Sequence, residues 1–405
     1  PSLVLALVHL TGDMSLVRGD IKPVVEFLSS DDGLTDAQRA QVRQHALDVL
    51  VRHRDAPGDF YVPSDGELRE MMDFITGQSL AEEYVEFLSA ELSMHGEDAY
   101  AQPEVYKIPE HTRADFKVLV IGAGMSGLLS AIRLQQAGID FAVVEKNADV
   151  GGTWLENSYP GCRVDSANHV YSYSFRPQDW PQHFSPQPVL RQYFTDTADE
   201  YGLRDRIRFN TEVESATFDE DSGMWRVQVN GPDGAETLVA NAVISAVGQL
   251  NRPKMPDIEG VGAFAGPAWH SARWRHDVDL TGKRVGVIGT GGSAFQFVPV
   301  IADQAESVTI FQRTAPWIVP NDTYFQEVPQ GKHWLLNHVP FYAKWFRFNM
   351  FWSAAEGLLQ AVAAGDDWNR PEESVSELNQ QFRESLLANL QEVLNGHPDL
   401  IEKCT

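Results

Sequence analysis

Cysteine is scarce in this sequence. Its 405 residues include two cysteines, Cys162 and Cys404, which lie far apart and in no spacing typical of metal ligands. The sequence therefore indicates neither a disulfide framework nor a metal site. Cys162 has no histidine partner in its sequence context, so we interpret it as a packing residue. The scarcity of cysteine predicts a cytoplasmic protein.

Positive charge and long apolar segments are scarce too. There are 32 Lys and Arg residues against 57 Asp and Glu residues, which gives a net charge of -25 at pH 7. Such a charge repels polyphosphates and anionic lipid surfaces, so we expect no nucleic acid and no membrane as partner. No apolar stretch reaches the roughly 18 residues that span a bilayer, and the start of the chain lacks the charged region of a signal peptide.

The chain begins at Pro1 rather than at a methionine and ends at Thr405 without an obvious tail. We therefore expect it to be part of a longer protein. Its length and its 43% hydrophobic content predict two or three globular domains of ordinary size.

Glycine is arranged in two fingerprints for dinucleotide binding. The first, GAGMSG from Gly122 to Gly127, stands between a predicted strand at 117–121 and a predicted helix at 125–137. The second, GTGGSA from Gly289 to Ala294, follows a predicted strand at 284–288. Glycines at this spacing let the backbone turn tightly, approach a pyrophosphate and present a helix N-terminus to it.

The residue that ends the next strand differs in charge between the two units. Glu145 follows the first fingerprint and Arg313 follows the second. A carboxylate accepts hydrogen bonds from a free ribose hydroxyl, whereas an arginine pairs with a 2'-phosphate. The sequence therefore predicts FAD at the first site and NADPH at the second.

The order of these patterns predicts an α/β fold with two Rossmann-like dinucleotide-binding domains plus an N-terminal α-helical domain. Three capping boxes, at Thr35, Ser64 and Ser79, mark helices in the first segment. Short strands between 208 and 248 indicate an antiparallel insertion in the first nucleotide domain. The predicted boundaries are 1–112 for the helical extension, 113–260 for the FAD-binding domain, and 261–405 for the NADP-binding domain with a helical insertion.

Between the fingerprints lies the segment Phe264-x-Gly266-x-x-x-His270-x-x-x-Trp274. It resembles the fingerprint of type I Baeyer-Villiger monooxygenases, which ends in tryptophan, although Arg275 stands where proline or aspartate is common. The resemblance extends over the GGTW run at 151–154, the YPGCRVD run at 159–165 and the YSYSF run at 171–175. The helical N-terminus is most similar to the 4-hydroxyacetophenone monooxygenase branch.

Spacing and resemblance together define the candidate site residues. The resemblance implies that Asp165 lies beside the flavin and orients a catalytic arginine, so Asp165 is the first candidate for a catalytic residue. His270 is the second, and we expect it to act as a hinge or gate between domains rather than as a base. The residues predicted to bind FAD are Gly122, Gly124, Ser126, Gly127, Glu145, Gly152, Thr153, Trp154, Tyr159, Arg163, Asp165, Tyr171 and Val213. The residues predicted to bind NADPH are Gly289, Thr290, Gly291, Gly292, Ser293, Ala294, Gln296, Arg313 and Thr314.

Each assignment has a structural alternative. Trp154, Tyr159 and Tyr171 can equally be core aromatics, since a flavin ring and an apolar core demand the same flat surfaces. Val213 can be an ordinary strand residue, and Asp165 can belong to a turn.

The resemblance implies that NADPH reduces FAD, and that a C4a-peroxyflavin formed with dioxygen inserts one oxygen beside a ketone carbonyl to give an ester or lactone. It also implies a Lys-Arg pair near the flavin. We expect a homodimer, with the aromatic helices after Trp334 and the N-terminal arm as candidate surfaces, although packing within the chain is an equal alternative for them. No Lys-Arg pair follows the second fingerprint, so the expected catalytic arginine is absent from the sequence. Two alternatives stay open: oxygenation of N or S atoms, and a catalytically incomplete fragment that binds nucleotides or dimerises.

Overall fold

A computed structural model describes residues 1–23, 33–92, 98, 101, 107–354, 358–365, 368–369 and 373–404. The helices of this part are α1 Ser2–Thr11, α2 Ser15–Arg18, α3 Asp36–Asp55, α4 Asp65–Thr76, α5 Glu82–Leu92, α6 Glu110–Asp115, α7 Met125–Ala137, α8 Thr153–Glu156, α9 Gln187–Glu200, α10 Gly292–Ala302, α11 Gln330–His338, α12 Tyr342–Ala354, α13 Leu359–Val362, α14 Glu377–Val393 and α15 Pro398–Cys404. The strands are β1 Lys117–Ile121, β2 Asp140–Val144, β3 Ile207–Arg208, β4 Glu212–Asp219, β5 Met224–Gly231, β6 Gly234–Ala240, β7 Ala242–Ser245, β8 Arg284–Ile288 and β9 Ser307–Phe311.

The chain divides into two compact units. As far as they are described, the first comprises Pro1–Ala99, Asp165–Phe184 and Ala315–Thr405, and the second comprises Tyr100–Val164 and Ser185–Thr314. The predicted domains are continuous segments that meet at residues 112 and 260, whereas each of the two observed units combines segments from different parts of the chain. The assignment of one predicted domain to FAD, one to NADP and one to the helical extension stays a prediction.

Helices from both ends of the chain form the first unit. α1 packs against α12 and α3, and Trp345 of α12 is buried in one core with Val4 and Leu5 of α1. The imidazole of His9 stacks on Phe341 at 4.0 Å between ring centroids. The C-terminal helices therefore complete the core of the N-terminal extension. None of the helices in the described part of the chain combines the length and apolarity that a membrane span requires.

Two of the three predicted capping boxes are present. Thr35 and Ser64 each accept a hydrogen bond from the backbone of the third residue of α3 and α4, and the side chains of those residues return to the cap. The prediction at Ser79 is wrong, because α5 begins at Glu82. The backbone N–H of Leu80, just before this helix, donates to the carboxylate of Asp73 in α4 at 2.8 Å.

The second unit contains the predicted β-α-β motifs. A parallel sheet in the order β3-β2-β1-β7 carries α7 between β1 and β2, and the predicted antiparallel insertion is the sheet β4-β5-β6. Its core joins Leu119 and Val144 of the parallel sheet to Val227 and Val229 of the insertion. A second parallel pair, β8 and β9, is connected by α10. The predicted α/β fold with two nucleotide units is thus confirmed.

Candidate dinucleotide-binding site

The first glycine turn joins β1 to α7 and is closely packed. Gly122 has φ +102°, and a Cβ placed on it would lie 2.7 Å from the carbonyl oxygen of Ala246. A Cβ on Gly127 would lie 1.9 Å from the carbonyl oxygen of Gly122. No other residue fits these two positions, because the added atom would overlap the backbone. Gly124, the N-cap of α7, makes no side-chain cap.

Glu145 follows β2 directly and is 4% exposed. One of its carboxylate oxygens accepts from the backbone N–H of Ala123 at 2.7 Å, and the other accepts from Asn147 N–H at 2.8 Å. The carboxylate is therefore held at the glycine turn. Each oxygen retains a lone pair with which it can accept a further hydrogen bond from a ribose hydroxyl.

The Gly151-Gly152 pair packs against this turn. Gly151 N–H donates to the carbonyl oxygen of Ala123 at 3.1 Å, and a Cβ on Gly152 would stand 3.0 Å from the Cα of Gly124. Thr153, which starts α8, is exposed. Trp154 is buried, and its carbonyl oxygen accepts a hydrogen bond from Gln187.

Two further predicted residues have ordinary surroundings in this unit. Ser126, in the first turn of α7, is exposed. Val213 pairs with Val229 beside a bulge in β4 and packs partly against the sheet core, as an ordinary strand valine does. Cys162 is buried, which raises the pKa of its thiol to about 11 and keeps it protonated at neutral pH.

The second glycine turn, between β8 and α10, is open. Gly289 has φ +100°, and a Cβ on Gly289, Gly291 or Gly292 would meet no atom within 4 Å. Gly291 is the N-cap of α10 and again makes no side-chain cap. Ser293 and Ala294, in the first turn of this helix, are half-buried. The glycines at 291 and 292 thus leave space that no described protein atom fills.

Arg313 and Thr314 follow β9 and are exposed. The hydroxyl of Thr290 lies 3.5 Å from the carbonyl oxygen of Thr314, which links the glycine turn to this strand end. No ion pair of Arg313 occurs among the residues that the structure describes. Its guanidinium is therefore available to an anion beside the second turn.

Both turns fit the pyrophosphate of a dinucleotide. The first N–H groups of α7 and α10 have no side-chain cap, and the partial positive charge of a helix N-terminus favours phosphate. Glu145 beside the first turn suits a free ribose, and Arg313 beside the second suits a ribose 2'-phosphate.

The fingerprint segment lies within the same unit. His270 Nδ1 accepts the N–H of Ala272 at 3.1 Å and so caps the short 3₁₀ turn Ser271–Arg273. The indole of Trp274 contacts Phe297 of α10 at 5.2 Å between ring centroids. Trp274 also lines an open cleft of about 340 Å³. The hinge role of His270 stays a prediction.

Gln296 of α10 connects two segments that are far apart in sequence. Its amide oxygen accepts from the Tyr159 hydroxyl at 2.9 Å and from Arg163 N–H at 3.1 Å. Its amide nitrogen donates to the carbonyl oxygen of Arg163 at 2.8 Å. A Cβ on Gly161 would lie 2.5 Å from the carbonyl oxygen of Gln296, so this loop packs directly on α10. Gln296 therefore fastens the loop, and its predicted contact with pyrophosphate stays a prediction.

Asp165 and Tyr171 belong to the first unit. Asp165 is exposed. The backbone N–H of Tyr171 donates to the carbonyl oxygen of Ala167 at 2.9 Å. Their predicted places beside the flavin stay predictions.

Sequence reasoning missed the contact between Ser158 and His276, whose Oγ and Nε2 lie 2.8 Å apart. It also missed Phe297, which contacts both Tyr159 and Trp274. No local pattern marks these residues, because their partners lie far away along the chain.

The fold and the two turns define a class of proteins that hold two dinucleotides. Residues 115–327 match the model of the FMO-like family, the flavin-binding monooxygenase-like proteins. The chain belongs to this family.

Curated relatives and solved structures agree. The chain is 36% identical over its whole length to the uncharacterized monooxygenase y4iD of Sinorhizobium fredii, of which it covers 60%. It is 47% identical over 217 residues to a Baeyer-Villiger monooxygenase of Streptomyces coelicolor, a match of 53% of this chain and 40% of that protein. The structure of OTEMO in complex with FAD and NADP is 28% identical, covers 72% of this chain and 60% of that one, and has a TM-score of 0.57. The chain thus spans at most about 60% of the length of each of these relatives.

Proposed function

We propose that this chain provides the FAD- and NADPH-binding part of a flavin monooxygenase. The observation that carries the proposal is the pair of uncapped glycine turns with Glu145 beside one and Arg313 beside the other. OTEMO, a similar structure, is solved with FAD and NADP.

The protein groups have distinct tasks in this proposal. The first N–H groups of α7 and α10 hold the two pyrophosphates. The Glu145 carboxylate accepts the ribose hydroxyls of FAD, and Arg313 pairs with the 2'-phosphate of NADPH, which distinguishes it from NADH. When bound, FAD and NADPH supply hydride transfer and the activation of dioxygen. Packing around Tyr159, Phe297 and Trp274 fixes the loop near the first turn to the helix of the second.

For the reaction, we propose Baeyer-Villiger oxygenation: dioxygen and a small ketone are the substrates, and an ester or lactone is the product. The tryptophan-ended fingerprint and the identity to the Streptomyces coelicolor Baeyer-Villiger monooxygenase support this choice. The 4-hydroxyacetophenone monooxygenase-like branch, a homodimer and a cytoplasmic location complete the proposal. The branch is supported by the helices of the N-terminal extension, and the location by the scarcity of cysteine.

The test is a product assay on the complete protein with NADPH, dioxygen and either an aryl ketone or a sulfide. The proposal expects an ester from the ketone. A sulfoxide in the absence of any ester from a panel of ketones would favour an N- or S-oxygenating enzyme instead. Flavin that stays oxidised when NADPH is added without oxygen would favour an inert nucleotide-binding fragment.

A further inference from the structure

Asn147 links the candidate ribose-binding carboxylate to a second buried carboxylate. The backbone N–H of Asn147 donates to Glu145 Oε1 at 2.8 Å. Its side-chain Nδ2 donates to Glu156 Oε1 at 2.9 Å. Glu145 in turn accepts the N–H of Ala123 in the glycine turn. A continuous path of hydrogen bonds therefore runs from the first glycine turn to Glu156 at the end of α8.

The Glu156 carboxylate contacts cationic side chains from two segments of the chain. The ammonium of Lys146 pairs with Oε1, and Arg273 Nη1 donates to Oε2 at 3.1 Å. The Glu156 side chain is 9% exposed, so solvent screens these charges weakly. Burial raises the pKa of Glu156, but hydrogen bonds from Lys146, Asn147 and Arg273 outweigh it and hold the pKa below its ordinary value. The carboxylate is thus ionised at neutral pH, and its contacts are charge-assisted.

Arg273 connects this path of hydrogen bonds to the fingerprint segment. It ends the 3₁₀ turn that His270 caps, and its own N–H donates to the carbonyl oxygen of His270 at 2.8 Å. A shift of Arg273 toward or away from Glu156 therefore changes the turn that begins at His270. The nearby pair of Arg275 and Asp277 differs, because both side chains are more than half exposed and the two residues are neighbours in sequence.

We propose that Glu156 is a positioning residue that couples binding at the first glycine turn to the conformation of the fingerprint segment, residues 264–274. The proposal rests on the proposed binding of FAD at that turn. FAD that engages Glu145 orders Asn147, which fixes Glu156, and Glu156 then holds Arg273 and the His270 turn. Binding at the first glycine turn in this way fixes the conformation of the fingerprint segment.

Amide hydrogen exchange tests the coupling without a turnover assay, with FAD as the probe. We expect FAD to slow exchange of the Ala272 and Arg273 amides about tenfold in the unaltered protein, because a charge-assisted contact fixes their turn. Glu156→Gln removes the charge and replaces one of the two acceptor oxygens by an NH2 group, so it cannot keep both the contacts of Oε1 with Lys146 and Asn147 and the contact of Oε2 with Arg273. This variant is expected to bind FAD without the protection. Arg273→Gln should behave alike, and the double variant should be no worse than either single one.

The control is Asp140→Asn, which breaks an exposed pair with Arg206 at the opposite end of β2. It should leave the protection unchanged. Protection that persists in FAD-loaded Glu156→Gln overturns the inference. If Glu156→Gln retains no FAD, Arg273→Gln decides the question, since its side chain is half exposed. Failure of the unaltered protein to bind FAD would instead contradict the proposed function.

Discussion

The two glycine turns share a sequence pattern but need their glycines for different reasons. In the first, a Cβ on Gly127 or Gly122 would overlap the protein's own backbone. In the second, a Cβ on Gly291 or Gly292 would meet nothing within 4 Å. Packing therefore demands glycine in the first turn, whereas no described residue demands it at 291 and 292, where the proposed pyrophosphate would come close to the backbone.

The charged residues beside the two turns also differ in how closely the protein surrounds them. Glu145 is 4% exposed and bound by two backbone N–H groups, whereas Arg313 is exposed. The first turn is thus held in place by contacts within the protein, whereas the second turn is open and its arginine is exposed. Substitutions in the first turn should therefore affect both folding and the binding of FAD. Substitutions in the second turn should affect the binding of NADPH alone.

The largest effect is expected for Gly127→Ala. The added methyl group lies 1.9 Å from the Gly122 carbonyl oxygen, so α7 must move away from β1. We expect a loss of about 3 kcal/mol in the free energy of unfolding, together with loss of bound FAD. Denaturant unfolding and the flavin content after gel filtration measure this. A stable variant that retains FAD would remove the contrast between the turns.

Arg313→Ala should come next and should spare the fold. Loss of a charge-assisted contact with the 2'-phosphate is expected to raise the KM for NADPH about 30-fold while leaving the KM for NADH unchanged. Steady-state oxidation of both cofactors measures the ratio. Arg275→Ala is the matched control, because within the described part of the chain this exposed arginine forms an ion pair with Asp277, two residues away, and with no other acid. Equal effects on NADPH and NADH would show that Arg313 does not read the 2'-phosphate.

Gly291→Ala sharpens the contrast with Gly127→Ala. Its φ of -76° is open to alanine and its surroundings are empty, so stability should change by less than about 0.5 kcal/mol. The methyl group would intrude on the pyrophosphate, and we expect the KM for NADPH to rise about tenfold with FAD retained. An unchanged KM would mean that no phosphate approaches this glycine.

Lowering the pH should have a smaller effect, which falls on the stability of the first unit and not on the two glycine turns. Burial lowers the pKa of His9 to about 4, while Nδ1 contacts the Tyr61 carbonyl oxygen and Nε2 accepts from Trp345. The folded state disfavours the proton, so stability is complete above the unfolded pKa of about 6.5 and declines as pH falls toward 4. We expect the first unit to lose about 1 kcal/mol by pH 5.5.

Thermal unfolding of the protein between pH 7 and pH 5 tests this. His9→Gln should reduce the pH dependence without abolishing it, because burial also lowers the pKa of His169 in the same unit to about 4. His397→Gln, at an exposed position, should leave the pH dependence unchanged. An unaltered protein whose stability is constant over this range would show that His9 titrates normally.

Local sequence predicted the parts of the fold that local physics determines. Short buried strands and glycine turns identified both β-α-β units, and Glu145, predicted as the last residue of its strand, lies directly after β2. The caps at Thr35 and Ser64 form because their partners are three residues away. Ser79 does not cap α5, because this helix begins at Glu82, three residues further along the chain.

Contacts between distant segments could not be predicted. Gln296 reaches Tyr159 and Arg163 across more than 130 residues, and Trp345 joins the core of α1 across most of the chain. Neither residue belongs to a periodic or motif-like pattern that identifies its partner.

The most direct test of the two-turn assignment is anaerobic addition of NADPH to the FAD-loaded protein and to its Gly291→Ala variant, followed by flavin absorbance. The assignment predicts that NADPH bleaches the flavin in the unaltered protein. It also predicts that the variant holds FAD equally well but needs about tenfold more NADPH for the same rate. Loss of FAD from Gly291→Ala, or bound flavin that NADPH never reduces in the unaltered protein, would contradict it.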